Sequence, residues 1–574
     1  MVNIVSRQAL SAAATATNGF VARLCPHLAG AMVSTGHGDP DSRRLPASFS
    51  GAASSPDSSF TTPAPDVVRN IPRHGVCPMS NPKTIVSPAL ATAVRPYEEI
   101  PQPRGWPIVG TWIEAICNGV VTRIHEYIDM RYRQLGPIYR EKLGKIDAVF
   151  LFDPKDVESV LQKEGKHPRH MIPEAWIIHR EMTKKPRGLF FMDGEHWLSR
   201  RRVMNQLLLH PKTVPQFTER INETIDDLID RWIRIKGPDS VVDKVEVEMF
   251  NWSIECIGTV LFDQRMGCLS DQRPADIQEF VHSIQEIFRT TMVLTMIPPK
   301  MAKFLGLPVW KKFLSSMDTS MQIARKYIYT SLDRVIDRME KGETVNDVCS
   351  SILAHKQFDM DEVVRLTTDL FAGAADTVSN AMAWALYLIS QDSQVQENIF
   401  NEVSAIVPGP DVVITTDMLK QMHYVKAVMK ETLRLYPVVP FHTRYLEDDI
   451  AIKGYNIPAN TLIMMGAYSM GRDEKTFEEP NKFIPERWLR ARETMHPDER
   501  RDAHYAAIPF AFGPRCCVGR RLAETEMHML LAKLIRRFKI EYAGDGPVDI
   551  DLRMITAPKQ SIKLKFTERL VSAM

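Results

Sequence analysis

The 574-residue sequence predicts a mainly α-helical protein with minor β-structure, a single large helical domain carrying small β-sheets. Three observations lead there. Long stretches repeat apolar residues at helical spacing, as in "TERINETIDDLIDRWIRI" and "SMQIARKYIYTSLDRVIDRM". Extended pieces such as "AVFLFDP" are few and short. No internal repeat is visible, and 44% hydrophobic with 25% charged residues is ordinary for a globular chain.

Taken in order, the first segment is residues 1–38, which hold Arg7 and Arg23 but no acid before Asp39. Ala, Ser and Thr dominate it and no long apolar run interrupts it, the pattern of a mitochondrial transit peptide rather than a secretory signal or membrane anchor. Residues 39–95 are rich in Ser, Pro and Ala, too poor in apolar surface to order themselves, and read as a disordered linker. From Pro96, with Pro101, Pro103 and Pro107, the chain stiffens and enters the helical domain, 96–574. "HEYIDMRYRQLG" reads as a helix, and "AVFLFDP" as a strand ending in a turn. The segment 291–310, apolar with Lys300, Lys303 and three prolines, reads equally as core with a loop or as a lid dipping into a membrane face.

The most apolar helix spans 361–390 and is expected to be buried along much of its length. Arg365, Asp369 and Asp376 make it a poor membrane span. A charge within a buried helix is costly unless paired or hydrated, so Asp376 calls for a function. The net charge of +2 excludes a nucleic-acid binder relying on bulk charge. Eight cysteines show no CxxC and no even ladder, which argues against a zinc module or disulfide scaffold and for a reducing compartment.

Two of those cysteines are adjacent in "PFAFGPRCCVGRRLAE" (509–524), just before a helical pattern. Cys517 enters a helix N-terminus, where free N–H groups and the helix dipole favour a thiolate. Glycines there let backbone approach a flat ligand, and Arg515 is placed to meet an anionic group on it. One thiolate without a second protein ligand suits a haem, whose porphyrin supplies the other nitrogens. The spacing Phe510, Gly513, Arg515, Cys517, Gly519 resembles the haem-thiolate signature of the cytochrome P450 family. Using Cys516 instead would put Pro514 at the arginine position and Val518 at the last glycine.

The resemblance covers about residues 96–570. It implies the P450 fold for a catalytic domain over 96–574, with haem b bound through Cys517 and O2 as co-substrate. "KETLRLYP" and "KFIPERW" match the family's buried ion-pair triad, here Glu431, Arg434 and Arg487. Trp197 and Arg201, one helical turn apart, resemble the helix that binds a haem propionate, with Arg444 and Arg515 as further propionate partners. "AGAADTVS" matches the oxygen-activating stretch, in which Asp376 relays protons and Thr377 orders water; Ala374 stands where glycine is frequent. Without a haem, Thr377 would read as a helix hydroxyl bonded back to a carbonyl.

The branch resembled is the mitochondrial, ferredoxin-dependent clan. There, lysines at the positions of Lys426 and Lys430 dock an acidic two-iron ferredoxin, itself served by an NADPH reductase; Arg520 and Arg521 follow the cysteine. The resemblance implies a monooxygenase on the matrix side of the inner membrane, with peripheral membrane contact. It would hydroxylate a lipophilic, sterol- or steroid-like substrate, met by 167–180, Ala372, Gly373, "VVPFH" and "MITAPK". The alternatives are a haem-thiolate isomerase or peroxygenase, and a haem- or lipid-binding sensor without turnover. For the first, Asp376, Thr377 and the lysine pair are superfluous; for the second, the whole electron-docking face is.

Overall fold

The apolar helix of the sequence runs from Met360 to Ile389 and is the axis around which the core is laid down. Asp359 caps it, its carboxylate accepting from the Glu362 N–H at 2.7 Å, and Asp361 and Glu362 place negative charge in the first turn. From Val378 to Leu386 every residue is buried, because the helix packs against a second one, Val245–Phe262, that is itself covered on all faces except at Glu246 and Val247. The computed structural model describes residues 94–569 apart from 107–109, 118–121, 185–187, 343–346, 356–357 and 491–493. The transit segment 1–38 and nearly all of the linker 39–95 therefore lie outside the described residues.

The helices expected from periodicity are present. Thr218–Ile235 coincides with its predicted stretch, and Ile124–Leu135 ends at Gly136, whose φ of +95° suits a residue without Cβ. "SMQIARKYIYTSLDRVIDRM" is the second half of a longer helix, Pro308–Glu340, packed beside Ala275–Met296. The ambiguous 291–310 segment joins these two and is partly core, partly surface. Met292, Leu294, Met296 and Trp310 are core, whereas the short helix Pro299–Phe304 turns Met301, Phe304 and Leu305 outward, Phe304 at 89% exposure.

The strand in "AVFLFDP" is Ile146–Leu151. It leads into a helix rather than a plain turn. Asp153 accepts from the Lys155 N–H at 3.0 Å, and Pro154 takes the first helical position of Pro154–Gln162, where its missing N–H costs nothing. This strand lies inside a four-stranded sheet, antiparallel to Ile138–Leu143 and parallel to Leu462–Met465, with His442–Tyr445 antiparallel beyond. Opposite Ile463, that last strand carries Arg444, buried on the sheet. The loop at 169–171 adds to the same edge: Tyr445 N–H donates to Arg169 O at 2.9 Å, and Met171 N–H to Thr443 Oγ1 at 3.0 Å.

The helix after the cysteines is Arg520–Arg537, its apolar face at Leu522, Met527, Leu530, Leu531 and Leu534 buried. Phe538 begins the strand Phe538–Tyr542, paired to Leu564–Glu568. Among the described residues no helix is long and apolar enough to cross a membrane.

Candidate active site

Cys517 sits in a loop held by its own backbone. Its N–H donates to Phe510 O at 2.9 Å, and the Cys516 N–H to Gly513 O at 3.1 Å. The two signature glycines act differently. Gly513 has φ +75°, and a Cβ there would fall 1.7 Å from Glu164 Oε1, so both backbone and packing exclude a side chain. Gly519 is the helix N-cap, and a Cβ there would make only an ordinary 3.9 Å contact with Cys517 Sγ. Cys517 lies deep in the protein and yet is accessible, so it borders interior space. Burial pushes its thiol pKa up, while the Gly519 N–H and then the Arg201 guanidinium pull it down. Burial thus opposes the thiolate that the helix N-terminus favours, and a bound cation would restore it.

Around this loop the fold gathers the expected cations. Trp197 and Arg201 project from the helix Gly194–Leu208, both buried. The Arg515 guanidinium stacks 3.9 Å over the Trp197 ring and donates to Met192 O at 2.6 Å, Asp193 Oδ1 at 3.0 Å and Pro168 O at 2.8 Å. Arg201 donates to Asn205 Oδ1 at 2.6 Å and to the Cys516 carbonyl. Its pKa is lowered by burial, and Arg515 is likewise lowered to about 10. Arg444 pairs with Glu164, a buried acid that the sequence did not single out. Arg444 Nη2 and Glu164 Oε1 remain buried without a hydrogen-bond partner.

On the central helix, Asp376 is buried and accepts from Asn380 Nδ2, four residues on, at 2.9 Å. Burial raises its pKa to about 6, against the pull of Arg553 and of that hydrogen bond. The Thr377 hydroxyl donates back to Gly373 O at 3.0 Å, with Ala374 O at 3.2 Å, which leaves its lone pairs as acceptors. Gly373, mid-helix, is exposed with nothing within 4 Å of where a Cβ would stand, so this helix also borders open space. Two of the segments expected to touch substrate meet here, the Thr556 N–H donating to Val438 O at 3.0 Å.

The triad residues do come together, in a larger set than expected. Glu431, fully buried, is gripped by Arg434 through two bonds of 2.8 and 2.7 Å and by Arg487 Nε at 2.9 Å. Trp488 Nε1 at 2.9 Å and the Ile484 N–H at 3.0 Å complete the shell. Trp488 was missed although it follows Arg487 directly; an indole N–H beside a triad member was the available signal. Lys426 and Lys430 lie on the same helix, His423–Leu435, Lys430 exposed with its ammonium 5.7 Å above Trp488 and Lys426 half-buried, donating to Lys420 O at 2.8 Å. Both press on His528, whose pKa falls to about 3, burial being the larger cause. Arg520 is tied to Glu524 at 2.9 Å. Among the described residues no group of three or more His, Cys, Asp or Glu that could hold a metal ion is assembled.

A deep, accessible thiol on which the guanidiniums of Arg201 and Arg520 act is the arrangement a haem-thiolate protein needs. The chain matches the family Cytochrome P450 over residues 100–566 and belongs to it. Within the family it falls in the mitochondrial clan. It is 31% identical to cytochrome P450 315a1, mitochondrial, of Drosophila melanogaster, over 85% of this chain and 91% of that protein. It is 32% identical to two human proteins: 25-hydroxyvitamin D-1 alpha hydroxylase, mitochondrial, over 79% of this chain and 90% of that one, and sterol 26-hydroxylase, mitochondrial, over 84% and 91%. The protein is thus a mitochondrial P450 monooxygenase related to sterol and steroid hydroxylases. Membership implies haem b with a cysteine thiolate, and use of O2.

Proposed function

We propose that this monooxygenase hydroxylates a sterol- or steroid-like lipid with electrons from a two-iron ferredoxin, in the mitochondrial matrix at the inner membrane. The observation that carries the cofactor assignment is Cys517, accessible at depth beside Trp197, Arg201 and Arg515. The residues present fit haem b: one thiolate, a buried Arg444 Nη2 lacking an acceptor, and open space at Gly373. Bound there, the group supplies activation of O2. Trp197, Arg201, Arg444 and Arg515 hold its propionates, and Phe510, Gly513 and Gly519 shape the loop that presents the thiolate.

Asp376 takes up a proton through a water path and passes it toward the Thr377 hydroxyl, whose lone pairs order the water that carries it. A carboxyl titrating near 6 exchanges protons readily at neutral pH. Lys426 and Lys430, with Arg520 and Arg521, offer the positive face an acidic ferredoxin docks on. Glu431, Arg434 and Arg487 are structural. Met301, Phe304 and Leu305, next to Lys300 and Lys303, suit peripheral contact with an anionic bilayer. The relatives named for sterol and vitamin D substrates support the substrate class.

The test is a titration of the ferric protein, freed of its first ninety or so residues, with sterols, steroids, secosteroids and fatty acids, read at the Soret band. A saturable low-to-high-spin shift with a sterol-like class is expected, then NADPH-dependent product with ferredoxin and its reductase. A shift with fatty acids alone would replace the substrate class. Substrate binding without electron-dependent turnover would favour the sensor.

A further inference from the structure

The acid read above as the proton carrier answers to more than its own helix. Asp376 is buried, with one carboxylate oxygen met by Asn380. Among the described residues on every element packed against that helix, one charged group acts on this carboxyl, the guanidinium of Arg553. It arrives from far along the chain, on the strand Ile550–Arg553, which pairs antiparallel with Ile555–Pro558. Ile555 is the direct partner of Arg553, and its strand is buried throughout and packs on the Asp376 helix. Met554 makes the turn between the strands at φ +68°, a left-handed conformation that a long side chain adopts only where the surrounding structure holds it. The hairpin is an arm that carries a guanidinium to the helix.

Arg553 is not committed to Asp376. Its Nε donates to Asp551 Oδ2 at 2.5 Å, two residues back on the same face of the strand. Among the described residues Asp551 is the one acceptor this guanidinium bonds, so the rest of its planar fork keeps donors for a second carboxylate. Two acids therefore share one cation, Asp551 by contact and Asp376 by charge. Burial lifts the Asp376 carboxyl to about 6, and Arg553 pulls against that rise, because a nearby cation favours the ionised form. We propose that Arg553 is a positioning residue of the proton relay, divided between Asp551 and Asp376, and that where its guanidinium stands decides how readily Asp376 gives up its proton. The proposal rests on the reading of Asp376 as the acid that carries protons toward Thr377, and adds to it a residue from outside the family motifs. Met554 opens "MITAPK", a segment expected to meet substrate, so the relay is set from the wall of the substrate space.

The experiment reads the Asp376 carboxyl by thermal melting of the holo-protein across pH. The unaltered protein loses stability relative to Asp376→Asn as pH rises, and the gap stops widening where the folded carboxyl ionises, at about 6. The same pair is then compared in three backgrounds. In Arg553→Gln the opposite charge is gone, and the gap is expected to level off roughly one pH unit higher. In Arg553→Lys a cation remains, and levelling stays close to that of the unaltered protein. In Asp551→Asn the released guanidinium turns to Asp376, and levelling comes at lower pH. The pH profile of product formed per NADPH is displaced in the same order. A levelling pH unmoved in Arg553→Gln would overturn the proposal. So would Asp551→Asn moving it the same way as Arg553→Gln, the mark of a hairpin that has merely loosened. Should Arg553→Gln not accumulate, Asp551→Asn is set against Arg553→Lys, and the absence of a downward displacement overturns the proposal. Absent displacements in an enzyme whose coupling needs Asp376 strike Arg553 alone. Full coupling in Asp376→Asn at every pH would strike the relay reading, and the proposal with it.

Discussion

Around Glu431 both carboxylate oxygens are met from within the chain, by two arginines, an indole and a backbone N–H. Around Arg444, atoms of a similarly buried ion pair are left unmet, Arg444 Nη2 and Glu164 Oε1, as are both ring nitrogens of nearby His170. Both clusters are buried and both centre on an Arg–Glu pair. The difference is that one network closes on itself and the other stays open toward interior space. A buried polar network is stabilising only when complete, so the closed one belongs to the fold and the open one to what the fold binds.

The strongest challenge to this contrast is Glu431→Ala. It strands Arg434 and Arg487 as uncompensated charges and is expected to cost about 3–5 kcal/mol, giving protein that fails to retain haem. Soluble protein with normal haem content and unchanged melting would contradict the structural role.

Asp376 carries the next largest effect, with a definite sign. Its folded pKa of about 6 lies above the ordinary 3.8, so the folded state keeps a proton that the unfolded chain releases. Its contribution to stability is intact below the unfolded value and is lost as pH rises through the folded one, a penalty of about 3 kcal/mol from a shift of about two pKa units. Asp376→Asn should melt higher than the unaltered protein above pH 6, show little difference near pH 4, and turn over more slowly. Equal stabilisation at both pH values would remove the titration from the explanation.

Trp488→Phe takes one donor from the closed network and should cost about 2 kcal/mol by denaturant titration, with haem retained. Thr377→Ala leaves stability nearly untouched and should raise the ratio of NADPH consumed to product formed. Unchanged coupling would take the hydroxyl out of proton delivery. Smallest in free energy, Lys426→Glu should slow ferredoxin reduction on the order of tenfold through association, an effect that added salt reproduces in the unaltered protein. Rates indifferent to both would call for another electron donor.

Much of the closed cluster could be read in advance, because Glu431, Arg434 and Arg487 stand in two short motifs that resemble those of the P450 family. Its closure could not. Trp488 and the Ile484 N–H reach Glu431 only once a loop more than fifty residues away folds over the helix. Glu164 was illegible for the same reason: it meets Arg444 across 280 residues of sequence, and nothing in its own neighbourhood marks it.

Local spacing was enough for some features. Apolar periodicity set the helices at 218–235 and 361–390, and the resemblance of Phe510, Gly513, Arg515, Cys517 and Gly519 to the family signature favoured Cys517 over Cys516. The environment of each of those groups came only with the folded chain. Desolvation, which depends on every atom packed nearby rather than on neighbours in the chain, pushed the Cys517 thiol up against its helix N-terminus and raised Asp376 toward neutrality. The same three-dimensional packing divided 291–310 between core and surface, and it brought His170, Glu164 and Arg444 together at one edge of a sheet.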